Sequence, residues 1–357
     1  MFDSFLNFLL DTAFVWAPIT LAVVFWNAWL SYVRADFIAK MRPNWQLMEI
    51  KIPREVAKSP AAMELVLQSL QQHSMGSWYD RWWTGRQTHW FSLEIVSIEG
   101  QIYFFIWTQK NYRPIIEAQI YSQYPQAEVN IVDDYAKYVE KYVRTNEWGM
   151  FGIEFKLAED DALPIKSYID YGLDRTGPIE ENQKIDPLTI VLEQLGSLRP
   201  GEQFWMQIIV RKHESKEFFG GKPVDSGKFS ESVKKLIEKL TTEKDKDKDG
   251  KEIKKPKQLT KGQQAVLDAV ERNAGKLSFD VGIRTVYLAQ KSAFNPSRIA
   301  MSLGIMRQYG SNNLNSFKFA STTGTDFPWQ DSFKVKVEKQ KEELFKAYVE
   351  RGFFYAP

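Results

Sequence analysis

The chain has no cysteine and three histidines in 357 residues. The first absence excludes disulfides, thiolate metal sites and cysteine nucleophiles. The histidines, His73, His89 and His213, stand far apart and show no ligand spacing, so a histidine metal centre has no support in the sequence. A one-sided charge is lacking too. Lys and Arg number 47 against 45 Asp and Glu, a net charge of +2, which argues against a dedicated duplex-DNA binder because phosphate neutralisation needs a concentrated basic surface. No phosphate-binding loop is present: the nearest stretch, Gly220 to Ser230, has Lys222 where the first glycine should stand and Phe229 after Gly227-Lys228.

A further absence is local and more informative. No charged residue occurs from Thr12 to Val33, a run of about 22 residues that is long enough to cross a bilayer as one helix. A signal peptide would place basic residues first, then a short apolar stretch and a small-residue cleavage site. Here the order is reversed, because the first eleven residues carry two aspartates and no Lys or Arg. Trp26, Trp29 and Tyr32 stand where an interfacial aromatic belt belongs, and Arg34, Lys40 and Arg42 follow at once. The expectation is an uncleaved single-pass anchor in the cell membrane, with residues 1–11 outside and the bulk of the chain in the cytoplasm. Pro18 should bend the helix slightly, and Asn27 either faces a partner helix or is satisfied locally by water or backbone.

Roughly 310 residues follow, enough for two medium domains with cores of their own. In residues 45–135, Met48, Ile50 and Ile52 alternate like a half-buried strand, and Met63, Val66, Leu67 and Leu70 follow at helical spacing. Trp90 to Ile98 and Gln101 to Thr108 form two β-rich runs joined through Glu99-Gly100, a hairpin signature. Arg113-Pro114 opens a second helix, and Ala127 to Val132 is a last strand. The order is β-α-β-β-α-β, the ferredoxin-like arrangement.

Residues 149–320 repeat that order once an insertion, 214–276, is removed. Phe151 to Leu157 is a strand, Asp186 caps a helix from Pro187, Gln203 to Lys212 and Leu277 to Ala289 form a strand pair, and Pro296 to Tyr309 is a helix leading to Ser316 to Ala320. Asn111-Tyr112-Arg113-Pro114 in the first half matches Ala293-Phe294-Asn295-Pro296 in the second. The sequence therefore predicts an α+β protein in which a transmembrane helix (12–33) precedes two tandem ferredoxin-like units, an internal duplication. The insertion reads as a helical hairpin, with Phe229, Val233, Leu236, Ile237 and Leu240 on one face and Ala265, Val266, Ala269 and Val270 on the other. Its Lys- and Asp-rich tip, 241–258, is expected to be disordered. Residues 333–357 form a charged helix and tail.

Few residues invite a chemical reading. Asp245 to Gly250 copies the opening of a calcium loop, but Pro256 stands where the twelfth-position glutamate is needed. Acidic pairs such as Glu159-Asp160-Asp161 and Glu180-Glu181 lie in loop-like stretches, and no nucleophile, base and oxyanion donor come together, so no enzyme and no cofactor are predicted. The aromatic segment Trp78, Tyr79, Trp82, Trp83 and Trp90, with Arg81 and Arg86, is different. Three readings compete for it: contact with the membrane surface, contact with a protein partner, or a local minicore against its own sheet. Tyr103, Phe105 and Trp107 share one face of a strand, loosely like the stacking strand of an RNA-recognition module, although Glu99 stands where a basic residue should. Lys137, Tyr138, Lys141, Tyr142 and Arg144 make a basic, aromatic stretch that reads as the charged face of a connecting helix or as a contact for acidic lipid or nucleic acid.

The runs Trp45 to Pro53, Lys58-Ser59-Pro60, Trp90 to Ile98 and Glu117 to Pro125, with Phe279 to Arg284, Phe294-Asn295-Pro296, Ser311 to Asn315 and Pro328-Trp329-Gln330, resemble a family of membrane proteins in candidate-phyla-radiation (Patescibacteria) bacteria. The resemblance covers nearly the whole chain. In relatives a similar region looks like the part that precedes an ATPase domain of the type IV secretion or conjugation class. It implies a non-catalytic platform that docks a hexameric ATPase carried on a separate polypeptide, and it brings no catalytic residues. A single-stranded nucleic-acid-binding subunit of a DNA-transfer or uptake apparatus is the alternative. The expected partners are the membrane, such an ATPase or other membrane-complex subunits, and further copies of the chain.

Overall fold

The computed structural model describes residues 12–53, 58–71, 76–144, 147–174, 186–213, 226–246, 252–324, 331 and 335–354. Residues 1–11, the start of the insertion (214–225), the centre of its tip (247–251) and the tail residues 355–357 lie outside them. So do His73, Glu180-Glu181 and Pro328-Trp329-Gln330.

In chain order the elements are α1 (Ala13–Met41), β1 (Trp45–Lys51), α2 (Ala61–Ser69), α3 (Trp78–Trp82), β2 (Trp90–Ile98), β3 (Gln101–Gln109), α4 (Arg113–Gln123), β4 (Glu128–Val132), α5 (Tyr135–Arg144) and β5 (Trp148–Leu157). They continue with α6 (Pro187–Gly196), β6 (Glu202–Lys212), α7 (Ser226–Thr241), β7 (Thr242–Lys246), β8 (Glu252–Pro256), α8 (Lys261–Ala274), β9 (Phe279–Gln290), α9 (Ser297–Gly304), β10 (Phe317–Thr322) and α10 (Val335–Val349). The chain divides into two compact units. An anchor unit combines residues 1–45 with 72–89 and 356–357, and a sheet unit holds 46–71 and 90–355.

The anchor unit is dominated by α1, which is long and apolar enough to span a membrane. Its polar side chains bond to the helix itself. Thr20 Oγ1 donates to the Ala17 carbonyl, Asn27 Nδ2 to Val23 and Ser31 Oγ to Asn27, each at 2.9 Å. Asn27 is thus satisfied within its own helix. Beyond the uncharged run the helix continues through Arg34 to Met41, where Lys40 pairs with Asp36 one turn back at 2.6 Å.

The sheet unit is an α+β structure built on one eight-stranded sheet of order β10-β5-β9-β6-β2-β3-β1-β4. Every pairing with a defined register is antiparallel. Strand alternation sends successive side chains to opposite faces, and both faces are covered by helices. On one face Val96, Phe105, Trp205, Val286 and Leu288 meet Tyr135, Ala136 and Val139 of α5 and Leu344, Phe345 and Tyr348 of α10. On the other, Met48, Ile50, Phe91 and Ile106 pack with Val66 of α2 and Ile116 and Ile120 of α4. Ile153, Phe155, Phe204 and Tyr287 continue that layer beneath Val191 and Leu195 of α6 and the end of α9. A buried Leu- or Ile-sized side chain contributes about 1.5–3 kcal/mol, so these two layers supply most of the cohesion.

Local chemistry explains the element boundaries. The β2–β3 hairpin turns at Glu99 and Gly100, both with positive φ, 54° and 87°, as a two-residue turn matched to strand twist demands. Asp186 accepts from the Leu188 amide and opens α6. Thr260 and Gln263 form a reciprocal capping box at the start of α8. In the insertion, Val233 of α7 and Val270 of α8 pack with Ala162. The tip departs from expectation. The stretch predicted to be disordered carries a two-stranded ribbon, β7 paired with β8 from Thr242↔Pro256 to Lys246↔Glu252. Once α7 and α8 bring the ends together, ladder bonds use backbone alone and need no apolar side chains.

A polar row crosses the apolar sheet. Glu94, Gln207, Arg284 and Glu154 are register partners on β2, β6, β9 and β5. Arg351, just beyond α10, closes over it. Its guanidinium takes both Glu94 oxygens at 3.0 and 3.2 Å and both Asp134 oxygens at 2.5 and 2.9 Å. Ser92, Tyr135 and Gln207 also donate to Glu94, and Tyr135 shares a 2.7 Å hydroxyl contact with Tyr348. Burial alone would raise the Glu94 carboxyl, but the Arg351 charge and these hydrogen bonds outweigh it and hold the group below the ordinary carboxylate value.

Candidate membrane-interface site

The residues singled out around the aromatic belt converge in the anchor unit. Ser77 begins α3 as a capping box: its side chain accepts from the Asp80 amide at 3.3 Å, while its own amide donates to Asp80 Oδ2 at 2.8 Å. The Ser77 amide and the Ser77 hydroxyl, which donates to the same oxygen at 2.9 Å, hold the Asp80 carboxyl below its usual range. Thr84 Oγ1 and the Arg86 amide then bond the Asp80 carbonyl, at 2.6 and 3.0 Å, and wind the segment into a compact turn.

This turn lies along α1. The Trp82 ring stacks on Trp26 with centroids 5.8 Å apart and planes 26° from parallel. Trp83 meets Trp26 edge-on at 6.4 Å and Trp29 at 5.8 Å. Tyr32 lies 6.4 Å from Trp29. Each such aromatic pair contributes about 0.5–1.5 kcal/mol beyond the area it buries. Gly85 completes the contact with backbone alone. At φ +68°, a Cβ there would lie 2.4 Å from the Val33 carbonyl oxygen and 2.8 Å from the Arg34 amide nitrogen. The loop can approach the helix this closely because residue 85 has no side chain.

Trp26, Trp29, Tyr32, Trp82 and Trp83 therefore form one aromatic collar, with Arg34 and Arg86 flanking the Gly85 contact in sequence. Tyr79 and Trp83 keep 60% and 45% of their surface open. Lys40 and Arg42 stand farther along the chain, at the end of α1 and in the following 3-10 turn. Trp78 and Arg81 belong to α3. Trp90 belongs to the sheet unit, where its indole donates to the Arg351 carbonyl at 3.1 Å. The sequence reading placed these tryptophans in a loop and at a belt but did not join them. Trp82 and Trp83 pack against α1, whereas the minicore considered from the sequence lay against the sheet.

His89 closes the segment. Burial, and then the nearby positive charge of Arg86, push its imidazole down to about 4. It is neutral at pH 7. Because the folded value lies below the unfolded one near 6.5, its contribution to stability is complete above about pH 6.5 and is lost as the pH falls towards 4. After allowance for its partial exposure, the loss is about 2 kcal/mol. Thermal unfolding followed from pH 7 to 4 should show this loss in the native chain and a flatter profile in His89→Gln.

The other candidates resolve differently. Tyr103, Phe105 and Tyr135 form a continuous stack, with centroids 5.9 and 5.2 Å apart, so the strand resembling a nucleic-acid platform has its rings engaged internally. His213 Nδ1 lies 2.7 Å from Asp280, which also pairs with Arg211 at 2.8 Å. The cluster of Glu94, Arg351, Tyr135 and Tyr348 has the composition of a catalytic site, but Glu94 and Arg351 are 2% and 1% exposed and spend their hydrogen bonds on one another and on neighbouring protein groups. It acts as a clamp between sheet and helices. The sequence reading missed it, although Glu94 occupies an inward position between Ser92 and Val96, where a charge must find a partner.

Neither a curated protein nor a solved structure matches the chain. A family model, described as a domain of unknown function (DUF8128), matches residues 29–332. That span takes in all of the sheet unit up to β10, so the protein belongs to the DUF8128 family.

Proposed function

We propose that the protein is a membrane-anchored, non-catalytic platform whose folded part lies in the cytoplasm and docks a separate ATPase of the secretion or conjugation class. One observation carries this reading: both faces of the eight-stranded sheet are closed by helices, which leaves the edge strands β4 and β10 and the α7–α8 hairpin as docking surfaces. An edge strand offers unpaired backbone donors and acceptors to a partner. The ATPase as partner follows from the family resemblance of the sequence.

The sheet unit further reads as two tandem ferredoxin-like units. Strands β1 to β4 lie in the order β2-β3-β1-β4, and β5, β6, β9 and β10 in the corresponding order β6-β9-β5-β10. Each set carries two helices on the same face and is followed by one helix, α5 or α10, on the opposite face. The two second strands, β2 and β6, pair antiparallel, as a duplication about a two-fold axis would give. Tyr112 packs on Phe91 and Phe294 on Tyr287 before the second helix of each set, in keeping with the paired sequence motifs.

The test is cross-linking with mass spectrometry on the full chain in mild detergent. An ATPase recovered with cross-links to β4, β10 or the hairpin is expected. Repeated recovery of other partners and no ATPase contradicts the proposal.

A further inference from the structure

The collar has a depth as well as a composition. From Val33 back to Trp26 is seven residues, about 10 Å along the helix axis at 1.5 Å per residue. Gly85 touches the backbone at Val33 and Arg34, the boundary between uncharged and basic sequence, while Trp82 stacks on Trp26 inside the uncharged run. Running backwards from Gly85 to Trp82, the segment therefore passes beside α1 from the basic boundary into the uncharged run. Its side chains suit that path. Tyr79 and Trp83 offer amphipathic rings with open surface, and Tyr32 on α1 is 66% exposed. Asp80, the one acid between Ser77 and Arg86, is tied to Ser77, and Arg81 and Arg86 balance it with positive charge.

We propose that residues 77–84 form an interfacial wedge, inserted into the bilayer leaflet at the basic end of α1, whose partner is lipid rather than protein. Ring contact with Trp26 and Trp29 sets its depth, and the positive charges of Arg34, Arg81 and Arg86 favour anionic headgroups around it. The protein would then hold its membrane by a span and a second, in-plane element. Because the wedge is braced against α1, it also resists rotation of the anchor. This inference rests on α1 being a membrane span.

The absence of cysteine allows a clean test in the full chain. Single cysteines at Tyr79, Tyr32 and Lys235 are labelled with an environment-sensitive fluorophore in proteoliposomes of phosphatidylethanolamine and phosphatidylglycerol. Quenching by nitroxide-bearing lipid is compared with quenching by aqueous iodide. Labels at Tyr32 and Tyr79 should be quenched several-fold more by lipid nitroxide than the label at Lys235, which should respond to iodide. If Tyr32 is lipid-quenched while Tyr79 behaves like Lys235, or is shielded from both quenchers, the wedge is wrong and the anchor stands. If Tyr32 also fails to sense lipid, the anchor reading itself fails.

Discussion

Replacing Arg351 with methionine is expected to destabilise the sheet unit by about 3–5 kcal/mol, the usual cost of removing one partner from a buried ion pair. The reason is what remains. Glu94 would be left as a buried carboxylate with Ser92, Tyr135 and Gln207 as its donors and without the guanidinium bonded to it, while Asp134 would lose two hydrogen bonds. The backbone gives a second handle. Arg351 has φ +50° at the end of α10, with its amide bonded to Tyr348 and the Gly352 amide to Ala347, a Schellman-type stop in which glycine normally takes that place. Arg351→Gly should relieve this strain, about 1 kcal/mol, and still lose most of the stability, which isolates the guanidinium as the cause. Chemical denaturation of the three proteins checks the order.

The clamp also fixes a pH dependence. In the native chain the Glu94 carboxyl lies below its unfolded value, so its contribution is present above about pH 4.5 and is lost as acid carries the pH through the folded value. In Arg351→Met the burial of Glu94 is opposed by the hydrogen bonds from Ser92, Tyr135 and Gln207 without the Arg351 charge, so the group rises and the folded variant takes up a proton before the native chain does. The stability gap between the two proteins should be widest at neutral pH and should narrow on acidification. A gap that stays constant would show that the charge on Glu94 is not what Arg351 supports.

Gly85→Val is expected to detach the aromatic turn from α1. A Cβ at this position collides with the Val33 carbonyl and the φ of +68° is itself unfavourable for a β-branched residue, so the two effects together cost about 3 kcal/mol. The collar pairs cannot survive that shift, because Trp82 and Trp83 precede Gly85 by three and two residues. Tryptophan emission should change, and protease should gain access between Gly76 and His89, with the sheet unit intact. Gly85→Ala should lie between the two. Gly172 is a useful control, since it has a similar φ of +70° but open space around it, and Gly172→Ala should leave the collar unaltered.

Much of this structure could be read from short-range chemistry. Glu99-Gly100, Asp186 and Thr260 announce their turn and caps because each acts on residues within a few positions, and the uncharged run needs nothing but length. What was not legible depends on separation. Glu94 and Arg351 are 257 positions apart, and no local pattern around Tyr348 to Gly352 distinguishes a buried arginine from a solvated one. The sequence there favours Gly352 as the helix-ending glycine, whereas Arg351 takes the left-handed position. Thr84-Gly85-Arg86 looks like an ordinary turn, and its close approach to Val33 becomes visible once the helix lies beside it. The charged tip misled for another reason: polar composition predicts the lack of a core, but a ribbon closed by a helical hairpin needs none.

The placement of the anchor is open to a direct measurement in cells. Cysteines introduced singly at Ser4 and Lys235 have no native thiol to compete with them. A membrane-impermeant maleimide should label the Ser4 variant on intact cells and the Lys235 variant after the membrane is opened, with both proteins remaining in the pellet after alkaline carbonate. Labelling of Lys235→Cys on intact cells, or release of the chain by carbonate, would contradict a single span with the sheet unit in the cytoplasm.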